Sequence, residues 1–553
     1  MSRLSWAVLA LLLGATLVGA ATFDRRRWPA MLGDEATYLM QAQSLAHDRD
    51  LRYERGDYER FVATWERPPD GLILQRGANG RLVYAKPVFY ALAVAPFVAL
   101  APGRGAAIAN ALLLATAGLV AARVLARRLG KAAPLWVAAW LFASVVFAQV
   151  YWAHSDLFLM ALVALALALA VAAADRERGG WRWLAAGLLA GVVVGSRPTY
   201  ATLLLPLALA PPRGERRRAW AALVLGLAGP VLVAAAAHRL QAGEWTTYGG
   251  ARQAFYAYTG FPEVGPAPPA GPAVERGASW LVNPLPFPFD ARLLLWNVAY
   301  FLVGRHVGVL PYFLPLLLGV AAFRPGAGRG ALLAAVGLSA LAFFVLRPFN
   351  FYGGGGAIAN RYFLPLYPAL WFAAARPARA SWALAVAAAA APFLWPLWSA
   401  PRAFPLRDDA TFRYVAPAAR LLPYETTQSH LKPGGRDDVA HRGLWVKFLD
   451  GGIVPAGEDA LELRPGGRGE LLVGSDRPLA ALVVEGAGAA GLSAEAGGVA
   501  GRPAGTDLRL EAPRLRARHP MWWTPEPISL YHLRLRGDGG RAVRFALRGE
   551  PRS

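Results

Sequence analysis

Long apolar runs separated by short polar loops fill the first 400 positions of the chain. A bilayer core about 30 Å thick is crossed by roughly 20 apolar residues in a helix. The run at 4–23 predicts a first membrane-spanning helix. Small residues near its end leave a cleavable signal peptide as the alternative, and both put the next segment outside. Ten further spans, eleven in all, are predicted near 105–123, 134–152, 157–174, 184–197, 199–212, 219–239, 308–323, 331–346, 361–375 and 381–399.

Residues 86–101 are apolar but short and contain two prolines, so they predict an interfacial or re-entrant helix rather than a span. This assignment places five arginine-rich loops on one side, which the positive-inside rule makes the cytoplasm. Arg25, Arg26 and Arg27 contradict the rule, because they follow the first helix on the outer side. The five loops are 123–131, 175–183, 211–218, 324–330 and 375–380.

The chain is therefore expected to be a multi-pass protein of a bacterial inner (plasma) membrane, with residues 1–400 as the transmembrane domain. The first outer loop is 24–104, and the segment 241–307 and the tail also lie outside. From position 401 the composition shifts to glycine, proline and arginine. After a connector over 401–442, short apolar segments between glycine-rich turns predict an extracytoplasmic β-sandwich over 443–553.

Composition agrees with a membrane protein, since 56% of the 553 residues are hydrophobic and 17% are charged. The net charge of +22 sits largely in the short loops and accompanies no nucleic-acid-binding motif, so membrane lipid and not nucleic acid is the expected partner. The chain has no cysteine, which excludes disulfides, thiolate metal sites and a cysteine nucleophile.

Acidic residues stand where outer helices begin. Asp34 and Glu35 open an amphipathic helix in the first loop, and Asp156 precedes the span at 157. Each alone fits a helix cap, which acidic residues commonly provide. If the two loops converge, Asp34 and Asp156 can activate a hydroxyl group or hold a divalent Mg or Mn ion, the one cofactor left open.

Basic residues occupy other outer helix ends, at Lys86, Arg197 and Arg361. Their side chains suit a phosphate or pyrophosphate, and the alternative is contact with lipid headgroups, which is common for helix-end cations. The four glycines at 353–356 allow close backbone approach to a ligand, although a flexible turn has the same sequence. The pair Trp522–Trp523 suits either sugar stacking or a β-sandwich core, with the core favoured. His238 and His306 lack metal-ligand spacing and are expected to be structural.

Five segments in this order resemble the GT-C superfamily of membrane glycosyltransferases, in particular the aminoarabinose transferase and protein O-mannosyltransferase branch. They are GDEATYLMQAQSL (33–45), Lys86-Pro87-Val88, ARVLARRLG (122–130), Ser155-Asp156-Leu157 and GGGGAIANRYFLPLYP (353–368). The resemblance covers residues 1–400 and leaves the tail uncovered. Val88 stands where the aminoarabinose branch usually has a second proline, which leaves the sugar and the acceptor open.

The resemblance implies that Asp34 is the acid nearest the reaction, with Glu35 beside it and Asp156 in a second loop. It also implies that Lys86 contacts the carrier phosphate and that Arg361 faces the same headgroup. The expected function is inverting transfer of a hexosyl or pentosyl group from a polyprenyl-phosphate donor to a glycan, lipid or protein acceptor. A lipid-linked glycan ligase or polymerase is one alternative. A transporter or flippase is another, but such proteins tend to carry internal repeats, which the sequence lacks.

Overall fold

The structure is a computed structural model that describes most of the chain. The described residues are 2–28, 31, 33–69, 72–77, 81–174, 180–247, 252–255, 273–275, 289–354, 359–377, 379–403, 416–428, 431, 438–457, 459–488, 491–521 and 524–552. Trp522 and Trp523 therefore lie outside the described residues, as do the last two glycines of the four-glycine run.

The described part of the chain contains sixteen α-helices, all of which end before residue 400. They are α1 (Ser2–Ala21), α2 (Asp34–His47), α3 (Arg55–Trp65), α4 (Val88–Leu100), α5 (Gly105–Leu129), α6 (Ala133–Phe142), α7 (Ser155–Ala174), α8 (Gly180–Ser196), α9 (Leu204–Leu209), α10 (Arg216–Ala242), α11 (Ala291–Val303), α12 (Val309–Tyr312), α13 (Leu316–Ala321), α14 (Ala327–Leu346), α15 (Tyr367–Ala373) and α16 (Ala380–Ser399).

The same part contains seventeen strands. They are β1 (Leu72–Arg76), β2 (Leu82–Tyr84), β3 (Arg252–Phe255), β4 (Ala273–Glu275), β5 (Asp438–His441), β6 (Leu444–Phe448), β7 (Ile453–Pro455), β8 (Leu461–Leu463), β9 (Arg468–Ser475), β10 (Leu479–Glu485), β11 (Ser493–Ala496), β12 (Val499–Ala500), β13 (Arg502–Ala504), β14 (Asp507–Glu511), β15 (Ala517–Met521), β16 (Thr524–Arg536) and β17 (Val543–Pro551).

Six helical segments among the described residues are long and apolar enough to cross a membrane, judged by length and composition. They contain α1, α5, α7, α10, α14 and α16 and coincide with six of the predicted spans. The segment with α5 continues through a short 3-10 turn into α6. The chain is thus a polytopic α-helical membrane protein, as the sequence predicts.

The other five predicted spans correspond to shorter or interrupted helices. Proline explains most interruptions, because it lacks a backbone N–H and clashes with the preceding helical turn. The predicted span 308–323, for example, is divided between α12 and α13, with Pro315 between them. Eleven crossings therefore stay a prediction. Helix α4 has 13 residues, a length that agrees with a helix that does not cross.

Helices α8 and α10 lie close together because glycines face each other in their contact. A Cβ atom on Gly187 would lie 2.3 Å from the carbonyl oxygen of Leu223, and one on Gly226 would lie 2.3 Å from that of Leu184. Small residues at such contacts are typical of membrane helix pairs.

Two features of the segments that were predicted to lie outside the membrane are absent from the sequence prediction. Strands β1 and β2 form an antiparallel hairpin, which β3 and β4 extend in the order β2-β1-β3-β4. The hydroxyl of Thr37 in α2 accepts a hydrogen bond from the backbone N–H of Ile73 in β1 (2.9 Å) and so ties this sheet to α2. Helix α11 lies within the segment predicted as a long outer loop.

The C-terminal strands form two antiparallel sheets, as predicted. One has the order β13-β14-β10-β17-β8-β7, and the other has the order β12-β11-β16-β9-β6-β5, with β15 paired to β16. Alternate residues of β10 and β16, such as Leu482 and Val484 or Leu533 and Leu535, are buried in one apolar core. Side chains of both sheets share this core, so the domain is a β-sandwich.

The chain divides into two compact units. The first comprises residues 1–289, 301–346 and 351–423, and the second comprises 290–300, 347–350 and 424–553. The unit with the β-sandwich thus also contains most of α11, whose Trp296 packs against the apolar cluster around Trp445 and Leu472. The predicted boundaries at 401 and 443 stay predictions.

Candidate active site

Helix α2 begins with a glycine that positions Asp34. Gly33 occupies the N-cap position with φ 57° and ψ −116°, a conformation that suits glycine far better than other residues. Asp34 is therefore the first helical residue and not the cap. Its carboxylate lies at the positive end of the helix, where an anion is stabilised, and both oxygens are used in longer-range contacts.

Asp34 is surrounded by cations. Its Oδ1 lies 2.5 Å from Nζ of Lys86, and its Oδ2 accepts a hydrogen bond from Nη1 of Arg361 (3.2 Å). Burial raises the pKa of the Asp34 carboxyl, but the nearby positive charges, with Lys86 the largest contributor, outweigh burial. They hold this pKa well below its ordinary value of 3.8, so Asp34 is an anion in this arrangement.

Lys86 follows β2 and immediately precedes α4. Its backbone oxygen accepts a hydrogen bond from Nε2 of Gln41 in α2 (3.1 Å), which holds the lysine opposite Asp34. A small cavity of about 30 Å³ adjoins this lysine, and its walls include Phe89, Gly195 and Ala234. The ammonium group therefore stands beside a largely apolar space.

The start of α7 contributes a second acid and a histidine. Nε2 of His154 lies 2.8 Å from Oδ2 of Asp34, and its Nδ1 lies 2.9 Å from Oδ2 of Asp156. The imidazole thus bridges the two carboxylates. It stacks on Trp152, with ring centroids 4.3 Å apart, and meets the edge of Tyr38. The Asp156 side chain is 1% exposed and that of Asp34 is 18% exposed, so Asp34 is the carboxylate that a substrate can reach.

Two arginines complete the cluster. Nη1 of Arg197, just after α8, donates to Oδ1 of Asp156 (3.0 Å). Arg361 contacts Asp34 and lies with its Nε 3.8 Å from Oδ2 of Asp156. Both guanidinium groups also lie over the ring of Tyr362, which orients them.

A glycine makes room for Arg361. Gly353 has φ +99°, and a Cβ atom there would lie 2.3 Å from Cγ of Arg361. The backbone N–H of Arg361 donates a hydrogen bond to the carbonyl oxygen of Tyr352 (3.1 Å), which fixes the backbone at Arg361. The glycine tract therefore has a local role in placing this guanidinium.

Glu35 lies outside this cluster. Its two oxygens accept hydrogen bonds from Nε (3.0 Å) and Nη2 (2.7 Å) of Arg25, and both side chains are buried. The next arginine, Arg26, pairs with Asp24 (2.7 Å). Two of the three arginines that contradict the positive-inside rule are thus engaged in ion pairs within the fold.

The structure brings together five of the six site residues predicted from the sequence, namely Asp34, Asp156, Lys86, Arg197 and Arg361. Three cations face two carboxylates, which leaves a net positive charge even with His154 neutral. Among the described residues, no group of three or more His, Asp or Glu side chains could hold a metal ion. The described contacts of Asp34 and Asp156 are with Lys86, Arg361 and Arg197, and a Mg or Mn ion at these two carboxylates stays a prediction.

His154 is a member of the cluster that the sequence interpretation missed, and Arg25 is the partner of Glu35 that it missed. His154 stands two residues before Asp156, and the prediction for this helix start named the acid alone as a site residue. Arg25 could be recognised only as an exception to the charge rule. Of the two histidines that were predicted to be structural, His238 approaches the carbonyl oxygen of Glu244 (3.2 Å), and His306 is buried.

Comparison with known proteins gave no match to a family model or to a curated protein. Two solved structures are similar, both of ArnT, an aminoarabinose transferase, from Cupriavidus metallidurans. The structure bound to undecaprenyl phosphate is 16% identical with a TM-score of 0.38, and the match covers 71% of this chain and 65% of that one. The apo structure is 15% identical with a TM-score of 0.39, and the match covers 72% of this chain and 66% of that one. The chain thus spans slightly less than two thirds of the length of these structures.

Proposed function

We propose that the chain is a GT-C type membrane glycosyltransferase that moves a sugar from a polyprenyl-phosphate donor to an acceptor on the extracytoplasmic face of a bacterial inner membrane. The observation that carries the proposal is the ion-pair cluster around Asp34. It gathers one accessible carboxylate and three cations from segments far apart in the sequence. An acid beside a cationic group is the pair that this reaction requires.

In the proposed reaction, an acceptor hydroxyl oxygen attacks the anomeric carbon and the bond from that carbon to the phosphate oxygen breaks. The sugar leaves the carrier with inversion, and the phosphate takes the bonding electrons. Lys86 and Arg361 stabilise the charge that develops on the phosphate, since charge-assisted hydrogen bonds to phosphate are strong. The hydroxyl proton goes to Asp34 as general base.

A base with a strongly lowered pKa is weak, and donor binding resolves this difficulty. When Lys86 and Arg361 turn to the phosphate, Asp34 loses two of the contacts that lower its pKa, while burial, which raises it, and the hydrogen bond with His154, which lowers it, remain. Asp34 then becomes a stronger base only when the donor is present. Asp156 stays paired with Arg197 and holds His154 against Asp34.

The carrier chain enters along the apolar residues beside Lys86, such as Phe89 and Ala234, where the cavity of about 30 Å³ must widen to hold it. A lipid chain there puts its phosphate at the ammonium group, the same class of ligand that one of the ArnT structures binds. Glu35 is assigned to holding Arg25 rather than to the reaction. The extracytoplasmic orientation follows from the arginine-rich loops at the opposite helix ends. The acceptor is a glycan, a lipid or a protein.

The test is binding of undecaprenyl phosphate to the purified chain in nanodiscs, followed by native mass spectrometry. Lys86→Ala should weaken binding by about ten-fold or more, because it removes a charge-assisted contact worth roughly 1.5–3 kcal/mol. Lys131→Ala is the matched control, since Lys131 is exposed in the loop after α5 and lies outside the cluster. If both variants bound undecaprenyl phosphate with equal affinity, Lys86 would be a cation that contacts lipid headgroups, and the proposed donor-phosphate site would be wrong.

A further inference from the structure

A second cavity, of about 270 Å³, lies between the helix ends opposite the candidate active site. Its walls include Leu167 in the second half of α7, Leu207 in α9 and Phe372 in α15. At 1.5 Å per residue, the part of α7 that lines it lies roughly 17–27 Å along the helix from Asp156. It is therefore separate from the cluster around Asp34. Its volume is close to the lower end, about 300 Å³, of the range that is typical of ligand pockets.

Two arginines line this otherwise apolar space. Arg128 stands in the last turn of α5, and Arg329 stands in the first turn of α14. The guanidinium of Arg329 donates to the carbonyl oxygens of Arg324 (2.8 Å) and Pro325 (3.2 Å). These neutral acceptors fix its position without cancelling its charge. Among the lining residues that the structure describes, none is acidic.

An apolar cavity with cations at a membrane helix end matches one class of ligand. Basic pockets between transmembrane helices bind anionic lipid headgroups, with the acyl chains in the adjoining apolar space. Leu209, which also lines the cavity, is 40% exposed and marks its open side. Gly326 and Gly328, also in the lining, present little side-chain bulk to a headgroup.

We propose that this cavity binds one anionic phospholipid of the membrane leaflet at that end. The phosphate lies at Arg128 and Arg329, and an acyl chain lies among α7, α9 and α15. The site is independent of the proposed transferase reaction, because it shares no lining residue with the Asp34 cluster or with the cavity beside Lys86.

The experiment measures lipid retention by the purified full chain with native mass spectrometry. Phosphatidylglycerol is compared with phosphatidylcholine carrying the same acyl chains. Two arginines near a lipid headgroup should favour the anionic lipid by about ten-fold or more. Arg128→Gln with Arg329→Gln should abolish this preference. The matched control is Arg217→Gln with Arg218→Gln, which removes the same charge from two exposed arginines at the start of α10 and should keep the preference.

Two further arms test whether the acyl chain occupies the cavity and whether the headgroup alone is enough for binding. Val171→Phe fills the cavity and should release the bound phosphatidylglycerol, with thermal melting as the check on folding. Glycerol phosphate, which has the headgroup charge but no chain, should not compete. Retention of the lipid by Val171→Phe, competition by glycerol phosphate, or an unchanged preference in the double arginine variant would each overturn the proposal.

Discussion

The substitution Asp34→Asn separates the chemical role of this carboxylate from its structural role. Asparagine keeps the shape and one oxygen that can accept from Lys86, but it removes the negative charge and cannot take a proton. General-base catalysis contributes roughly 10²–10⁴-fold, so sugar transfer should fall by that factor. At 1.36 kcal/mol per ten-fold, this corresponds to about 3–5 kcal/mol in the activation free energy.

The same substitution should have the opposite effect on donor binding. In the described arrangement, Lys86 and Arg361 both contact Asp34, and a phosphate must displace those contacts. With asparagine at position 34, the two cations lose their competing anion, so undecaprenyl phosphate should bind at least as tightly as to the wild type. The unliganded variant should melt at a lower temperature, since loss of an ion-pair partner leaves a largely buried charge, and undecaprenyl phosphate should restore much of that loss.

The assay combines two measurements on protein in nanodiscs. Release of undecaprenyl phosphate from a panel of undecaprenyl-phosphate sugars reports turnover, and native mass spectrometry reports binding. Asp48→Asn is the control, because Asp48 stands at the other end of α2 and pairs with Arg60 (2.8 Å). A purely structural Asp34 predicts that turnover and binding fall together with the folded fraction. Normal turnover by folded Asp34→Asn, or weaker phosphate binding, would refute the reasoning.

Three further predictions concern the surroundings of the site. Glu35→Gln should lower stability, since removing one partner of a buried ion pair costs about 3–5 kcal/mol, while activity per folded molecule in a thermal-melting and turnover comparison stays near wild type. If Glu35→Gln folded well but were inactive, Glu35 would take part in the reaction. Gly353→Ala should weaken undecaprenyl phosphate binding by displacing Arg361, whereas Gly337→Ala, with nothing within 4 Å in α14, should leave binding unchanged. Burial raises the pKa of Asp57 in α3 from 3.8 to about 7. The folded state therefore keeps a proton that the unfolded state releases, and the free energy of unfolding should fall as pH rises from about 4 to about 7; Asp57→Asn should flatten this part of a melting-temperature profile.

The long membrane-spanning helices could be predicted because the length of an apolar run is enough to recognise them. The apolar run of α7 needs no tertiary contact to be recognised. Helix α11 was not predicted, because its 13 residues are too few to span a membrane and lie in a segment of mixed composition. The pairing of β1 with β3 joins residues about 180 positions apart, and no local sequence pattern predicts which strand pairs with β1.

The site residues could be proposed individually because helix ends on one side of a membrane lie at one level. Asp34, Lys86 and Arg361 were each assigned by that reasoning. Their mutual contacts could not be predicted, since a sequence does not say which helix ends converge. His154 shows the difference: only the packing of α2 against the start of α7 makes its ring a bridge between two carboxylates.

The site is held by the same ion pairs that its proposed reaction must break. Asp34 and Asp156 neutralise most of the charge of Lys86, Arg197 and Arg361, which lets these groups be buried without a ligand. A phosphate then enters by exchange, and the strength of each pair sets both the stability of the empty site and the cost of that exchange. Effects of substitutions within this network should therefore not add, because contacting charges couple by about 0.5–3 kcal/mol. A double-mutant cycle on Asp34 and Lys86 should show strong coupling in melting and weaker coupling once undecaprenyl phosphate is bound. Coupling that is equal with and without the phosphate would mean that the lysine keeps its carboxylate partner, and the exchange would then have no structural basis.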